Sequence, residues 1–194
     1  MKYILLILLI ILLWYNIYGQ APDYNRKYFT HWIDVDRDCQ NTRQEVLIEE
    51  SKVTGVIFAD SNNCRVTYGI WRCMYDDTLL FNANDLDVDH VVSLKSAWIS
   101  GAYKWDKEKR KQYANYMKDP DHLIAVTKGS NRSKGAKSPD QWMPKNPEFK
   151  IPYCKMWCKI KVDWGLTATR NELAYLNYML RYEKDVQYPL LRDE

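Results

Sequence analysis

Long apolar runs are nearly absent from this chain, and the one that exists is short. Residues 3–15 form an unbroken apolar and aromatic run of thirteen residues, whereas a membrane-spanning helix needs about twenty. A basic residue precedes the run and small residues follow it, so it predicts a cleaved secretory signal peptide over residues 1–19. An uncleaved signal anchor is the alternative. We therefore expect a secreted, extracellular protein with no stable membrane association after cleavage.

Internal repeats and low-complexity linkers are also lacking, which argues against a repeat array or a string of domains. Residues 20–194 amount to about 175 residues, enough for one domain with its own core. Their patterns mix several helices with a few short strands. We predict a single α+β domain, mostly helical, with a small antiparallel sheet.

Cysteines are few, and only Cys154 and Cys158 lie close together in the sequence. A structural zinc site usually takes four Cys or His ligands in two close pairs, so this pattern argues against zinc. In a secreted chain, five cysteines imply disulfide bonds with one thiol left over. The spacing does not choose among the possible pairings.

Charge of one sign is not in large excess, because 28 basic and 25 acidic residues give a net charge of +3. The protein is therefore not a polycation. The basic residues are concentrated from Lys104 onward, where they would suit a phosphate-binding face. The segment 107–111 equally fits the solvated side of a helix. Nothing resembles a module that reads bases, so no sequence preference is predicted.

Local patterns predict the order of helices and strands. Capping-box patterns mark helix starts at Thr42–Glu45 and Thr169–Glu172. Strands are predicted from β-branched and aromatic runs at residues 53–59, 64–71, 79–81, 87–92 and 123–126. Further helices are predicted at residues 95–99 and 107–117, and after a turn near Asn131.

Asp89 and His90 stand side by side, and Asn131 follows later in the chain. Carboxylate and amide oxygens are ligands that Mg²⁺ prefers, and an imidazole takes a proton from water near neutral pH. Adjacent side chains of a regular strand point to opposite faces, so a bent or bulged strand is needed for Asp89 and His90 to reach one metal ion. These residue types indicate a metal-dependent nuclease.

The same motifs resemble those of the HNH, or His-Me finger, endonucleases. The pattern is D-V-D-H-V-V-x-L at 87–94, then H-L-I-A-V at 122–126 and N-R-S-K-G at 131–135. More narrowly, the chain is similar to secreted HNH proteins of the DUF1524 type. That likeness continues through most of the mature chain, at residues 39–47, 64–71, 94–102, 137–144, 153–154 and 166–172. The resemblance implies a ββα-metal motif embedded in the domain.

The resemblance also implies roles for individual residues. Asp89 and Asn131 correspond to the ligands of Mg²⁺ or Mn²⁺, and His90 to the general base that activates water. His122 stands where the family has Asn, and two roles are open to it: holding the loop of the catalytic His, or joining the metal shell. Asp87 would either hold a metal-bound water or be merely exposed.

Three further expectations concern two basic residues, a disulfide bond and a glycosylation sequon. Arg132 and Lys134 would contact phosphates of a DNA or RNA substrate, or else be bare exposed cations. The resemblance favours a disulfide bond between Cys39 and Cys64. Asn131-Arg132-Ser133 is also an N-glycosylation sequon, and a glycan there would block the metal site.

Two alternatives compete with an enzyme of low sequence specificity. Asp34, Asp36, Asp38 and Glu45 match positions of a calcium-binding EF-hand loop, although Cys39 stands where that loop requires Gly. The protein would then be a secreted calcium-binding module. The other alternative is a nucleic-acid-binding protein that kept the fold and lost turnover.

Overall fold

The computed structural model describes residues 21–53, 55–183 and 190–191, and the predicted signal peptide lies outside the described residues. The helices are α1 (Thr42–Glu49), α2 (Leu94–Ile99), α3 (Lys107–Ala114), α4 (Lys128–Lys134), α5 (Lys150–Asp163) and α6 (Arg170–Leu180). The strands are β1 (Ile57–Phe58), β2 (Val66–Arg72), β3 (Leu79–Asn82), β4 (Leu86–His90), β5 (Leu123–Thr127), β6 (Thr167–Ala168) and β7 (Leu190–Leu191). In this part of the chain no helix combines the length and apolarity needed to cross a bilayer.

The strands form small separate sheets rather than one large one. β1, β2 and β3 make an antiparallel sheet, β4 pairs antiparallel with β5, and β6 pairs parallel with β7. The helices pack around these pairs. The predicted α+β class with small antiparallel sheets is thereby confirmed, whereas the parallel pair was not predicted.

The two predicted helix starts have different outcomes. Thr169 caps α6 with the complete capping box that the sequence predicts, its hydroxyl and the Glu172 carboxylate each accepting a backbone N–H. At α1 the cap is Asn41 instead, whose side chain accepts from the next backbone N–H groups. The Thr42 hydroxyl instead shares its proton between two acceptors, the Ile33 carbonyl and Asn115 Oδ1, each at 3.0 Å.

Strand β4 carries three of the residues singled out from the sequence, Asp87, Asp89 and His90. Its pairing with β5 is regular from Leu86 to His90, with no bulge. Alternation therefore puts Asp87 and Asp89 on one face of the strand, and Val88 and His90 on the other. Helix α4 follows β5 through the N-cap Thr127, whereas α2 and α3 are inserted between the paired strands β4 and β5.

These two strands separate two apolar clusters. The smaller contains Leu86, Val88, Leu123 and Ala125 with residues of α1 and β2. The larger contains Ile124 and Val126 with residues of α2, α3, α5 and α6. A strand pair buried on both faces is a rigid support for polar groups at its end.

Candidate active site

Helix α4 lies against the acidic face of β4. Asn131 and Lys134 are three residues apart and share one side of the helix, while Asp87 and Asp89 share one side of the strand. The amide Nδ2 of Asn131 donates to Asp87 Oδ2 at 3.0 Å. The Lys134 ammonium pairs with Asp89 Oδ2 at 2.8 Å. Two polar contacts therefore fix the register of α4 on β4.

Asp89 is buried and surrounded by donors. Besides its 2.8 Å contact, the Lys134 ammonium lies 3.1 Å from Oδ1 of Asp89 and donates to the His90 carbonyl at 3.0 Å. The Tyr75 hydroxyl donates to Asp89 Oδ2 at 2.8 Å. Burial raises the pKa of Asp89, and the Lys134 charge and these hydrogen bonds oppose that rise.

The His90 imidazole is held in one tautomer. Its Nε2 lies 3.0 Å from the carbonyl oxygen of Ala114, which only accepts hydrogen bonds, so Nε2 carries the proton. Nδ1 is then the basic nitrogen, and the hydrogen bond that holds the ring among the described residues is that of Nε2. The ring stacks on Trp32, at 5.6 Å between centroids, and on Tyr113, at 6.2 Å.

The environment of His90 keeps it neutral. Burial lowers the pKa of His90 well below its ordinary value, and the nearby His122, Arg26 and Lys134 lower it further. Hydrogen bonding to the Ala114 carbonyl only partly opposes this shift. A neutral imidazole at pH 7 is the protonation state that a general base requires.

The His122 ring contacts the His90 ring, and His122 does not line the cleft that contains Asp89. It is 1% exposed, and its Nε2 donates to the Tyr113 carbonyl at 2.8 Å. Burial lowers the pKa of His122 to about 4, so the ring is neutral. His122 therefore binds the same stretch of chain that holds His90, and it does not line the cleft of Asp89 and Asn131.

A cleft of about 200 Å³ brings three of the predicted residues together, Asp89, His90 and Asn131. Arg132 is exposed on α4 but does not line this cleft. Lys134 is 0% exposed. The sequence predicts that Lys134 contacts a substrate phosphate. In the structure its ammonium is instead turned inward to Asp89, away from solvent.

Several residues of the site gave no signal in the sequence. Tyr75, Trp32 and Arg26 reach it from distant segments, and no local spacing indicates this. Asp76 accepts from the hydroxyls of Thr127 and Ser130 at the start of α4. Although burial opposes ionisation, these and other hydrogen bonds lower the pKa of Asp76 to about 2. Asp76 therefore anchors the helix that carries Asn131.

Comparisons with known proteins identify the family of the chain. Residues 42–177 match the family described as GmrSD restriction endonucleases, C-terminal domain. The chain belongs to this family. A protein described as "Uncharacterized secreted protein" from Arthroderma benhamiae is 37% identical over 162 residues, which cover 84% of this chain and 76% of the relative. No solved structure matches. Membership of a restriction-endonuclease family indicates a nuclease-type function.

Within this member of the GmrSD family, the oxygen donors suit a hard divalent cation. Asp87, Asp89 and Asn131 supply two carboxylates and one amide, the ligand types that Mg²⁺ and Mn²⁺ prefer. Within the described residues, Asp89 Oδ1 accepts from Lys134 alone, which leaves it a lone pair for a further partner. The Lys134 ammonium lies against Asp89, while Asp87 contacts the neutral amide of Asn131. The chemistry of the site therefore fits the cation that the sequence predicts.

A second acidic group lies away from this cleft. Asp34, Asp36 and Asp38 are exposed, and one carboxylate oxygen from each lies within 4.8 Å of the others. Asp34 accepts from the backbone N–H groups of Arg37 and Cys39, as in a tight turn. Only a single 3-10 turn stands ahead of it among the described residues, so the helix of an EF-hand is missing there.

Two of the five cysteines form a disulfide bond, and the other three are free thiols. Cys39 and Cys64 form the disulfide bond that the resemblance favoured, joining the segment ahead of α1 to the turn before β2. Cys73, Cys154 and Cys158 are buried free thiols. In the described residues, Cys154 and Cys158 belong to no group of three metal-ligating side chains.

Proposed function

We propose that the protein is a secreted, metal-dependent endonuclease of the HNH, or His-Me finger, type. Its substrates are the phosphodiester bonds of DNA or RNA, cleaved with low sequence specificity. The observation that carries the proposal is the state of His90: its Nε2–H is bound to the Ala114 carbonyl, which leaves Nδ1 as a base in a cleft shared with Asp89 and Asn131. The pairing of β4 with β5 and the packing of α4 on β4 support the ββα-metal motif, with α2 and α3 inserted between the two strands. The sequence motifs support the narrower likeness to DUF1524-type proteins.

The chain's own residues would act in a short sequence. Neutral His90 takes a proton at Nδ1 from a water molecule, whose oxygen attacks the phosphorus while the bond from phosphorus to the leaving oxygen breaks. Trp32 and Tyr113 hold the ring in one plane, and the Ala114 carbonyl stabilises the imidazolium that forms. Asp89 and Asn131, with Asp87 beside them, would hold Mg²⁺ or Mn²⁺, which when bound supplies positive charge to the pentacovalent phosphate and the leaving oxygen.

Secretion has three supports. The first nineteen residues have the pattern of a signal peptide, and the relative from Arthroderma benhamiae is described as secreted. The Cys39–Cys64 disulfide suits an oxidising compartment. Nucleic acid is therefore proposed as an extracellular substrate.

Cleavage assays on the purified mature chain test this proposal. Plasmid DNA and RNA should be degraded with Mg²⁺ or Mn²⁺, and EDTA should stop the reaction. His90→Ala should lower the rate by roughly 10²–10⁴, the usual contribution of a general base, with an unchanged circular dichroism spectrum. Because His90→Ala is purified in the same way, it also controls for a contaminating nuclease. Cleavage by His90→Ala at the wild-type rate would show that the assignment is wrong.

A further inference from the structure

The segment ahead of the matched family region, residues 21–41, forms an N-terminal arm that packs beside His90. The indole Nε1 of Trp98 donates to the Pro22 carbonyl at 2.6 Å, and Asn115 Nδ2 donates to the Thr30 carbonyl at 2.8 Å. Trp32 of the arm stacks on the His90 ring. The arm is therefore a fixed wall of the cleft.

Arg26 is the basic residue that this wall presents to the cleft. It is exposed and lines the cleft together with Asp89 and His90. Its Nε donates to His31 Nε2 at 3.1 Å. Among the described residues, no carboxylate pairs with the Arg26 guanidinium, and its two Nη groups have no hydrogen-bond partner. A guanidinium fork held at Nε and open at Nη suits bidentate binding of a phosphate.

Lys95 lines the same cleft. It lies on α2, is exposed and lines the cleft with Asn131. Its ammonium has no carboxylate partner within the described part of the chain. Together, Arg26 and Lys95 are the exposed cations of the cleft, whereas Arg132 lies outside it and Lys134 is buried against Asp89.

We propose that Arg26 and Lys95, which line the same cleft as His90, bind the phosphodiester backbone of the substrate, so that the N-terminal arm forms part of the substrate site. This inference rests on the proposed nuclease function. It assigns the phosphate contacts to Arg26 and Lys95 instead of Arg132 and Lys134. Because both contacts would be to the backbone, they add affinity without sequence preference. Each phosphate contact releases about 0.7 of a counterion from a single strand.

Binding to a fluorescent 20-nucleotide single strand, measured by anisotropy in EDTA, tests the inference without cleavage. The His90→Ala chain is the starting protein. Adding Arg26→Gln or Lys95→Gln should weaken binding about fivefold, as loss of one phosphate contact does. Each should also reduce the slope of log affinity against log salt by about 0.7. Arg26→Lys should restore most of that slope, which a purely structural role would not do.

Two matched controls make the result specific. Lys27→Gln removes a charge from the neighbouring position of the arm, and Arg132→Gln removes the exposed charge of α4. Neither residue lines the cleft, so both variants should bind within twofold of the parent. Equal losses in all four variants, or no binding of the oligonucleotide by the parent chain, would overturn the inference.

Cleavage assays separate this inference from the proposed function. In the otherwise wild-type chain, Arg26→Gln should raise KM for nucleic acid more than it lowers kcat. If His90→Ala still cleaves while the binding losses appear as expected, the catalytic assignment fails and the binding site stands. If His90→Ala is inactive while Arg26→Gln and Lys95→Gln bind like the controls, the nuclease stands and the binding site fails.

Discussion

His90 and His122 bind to consecutive carbonyl groups of the same helix end. His90 donates to Ala114 and His122 donates to Tyr113, with the two rings 6.2 Å apart and nearly perpendicular. The chain at the end of α3 is thus held from one side by His122 while it orients the base from the other. We therefore expect His122 to act through this backbone, since it does not line the cleft.

Substitutions of His122 should separate these roles. His122→Asn keeps an N–H donor for the Tyr113 carbonyl and should lower kcat only modestly. His122→Leu leaves that buried carbonyl without a partner, which costs about 1–3 kcal/mol of folding free energy, and should lower both Tm and kcat. Thermal unfolding and steady-state kinetics measure the two effects. Wild-type behaviour of His122→Leu would contradict the supporting role.

Activity should persist into mildly acidic solution. Because the pKa of His90 in the folded protein lies well below 6.5, the base stays neutral at pH 6.5 and is lost only as the pH falls through the lowered value. The unfolded state binds protons first, so stability also declines below pH 6.5. The acid limb of the kcat/KM profile measures the base, and Tm over the same range separates unfolding from titration. An acid midpoint at or above 6.5 is the result that this assignment does not allow.

Loss of the Lys134 ammonium should lower the free energy of unfolding more than it changes substrate binding. Lys134→Met leaves Asp89 buried with a charge and no counterion, which costs on the order of 3–5 kcal/mol. Adding Asp89→Asn to Lys134→Met should recover much of that loss. Lys137→Met, at an exposed position nearby, is the control and should leave the free energy of unfolding nearly unchanged. A Lys134→Met protein with normal stability and a raised KM would instead support the phosphate contact predicted from the sequence.

The sequon at Asn131 should remain unglycosylated in active protein. A glycan would attach to Nδ2, the atom that donates to Asp87 within a half-buried position on α4. Intact mass of protein from a glycosylating secretory host should therefore match the bare chain. Ser133→Ala destroys the sequon and should shift that mass only by the substitution itself. A stoichiometric glycan on Asn131 in fully active protein would remove Asn131 from the metal site.

The sequence by itself determined those features that depend on nearby residues. The capping box at Thr169 is complete because its partners are three residues apart on one helical turn. β4, β5 and α4 appear close to their predicted places because alternation and turns are local signals. Asn131 joins Asp89 and His90 at one cleft because α4 begins directly after β5 and packs on β4.

Tertiary structure alone decided what each charge near the cleft does. Lys134 and Asp89 are 45 residues apart in the chain, yet they pair because α4 packs on the acidic face of a regular β4. Arg26 enters the cleft through an arm fixed by distant partners such as Trp98 and Asn115. Sequence spacing cannot distinguish a buried ammonium from one open to solvent, because burial depends on which surfaces meet, and that is a property of the packed chain rather than of any one segment.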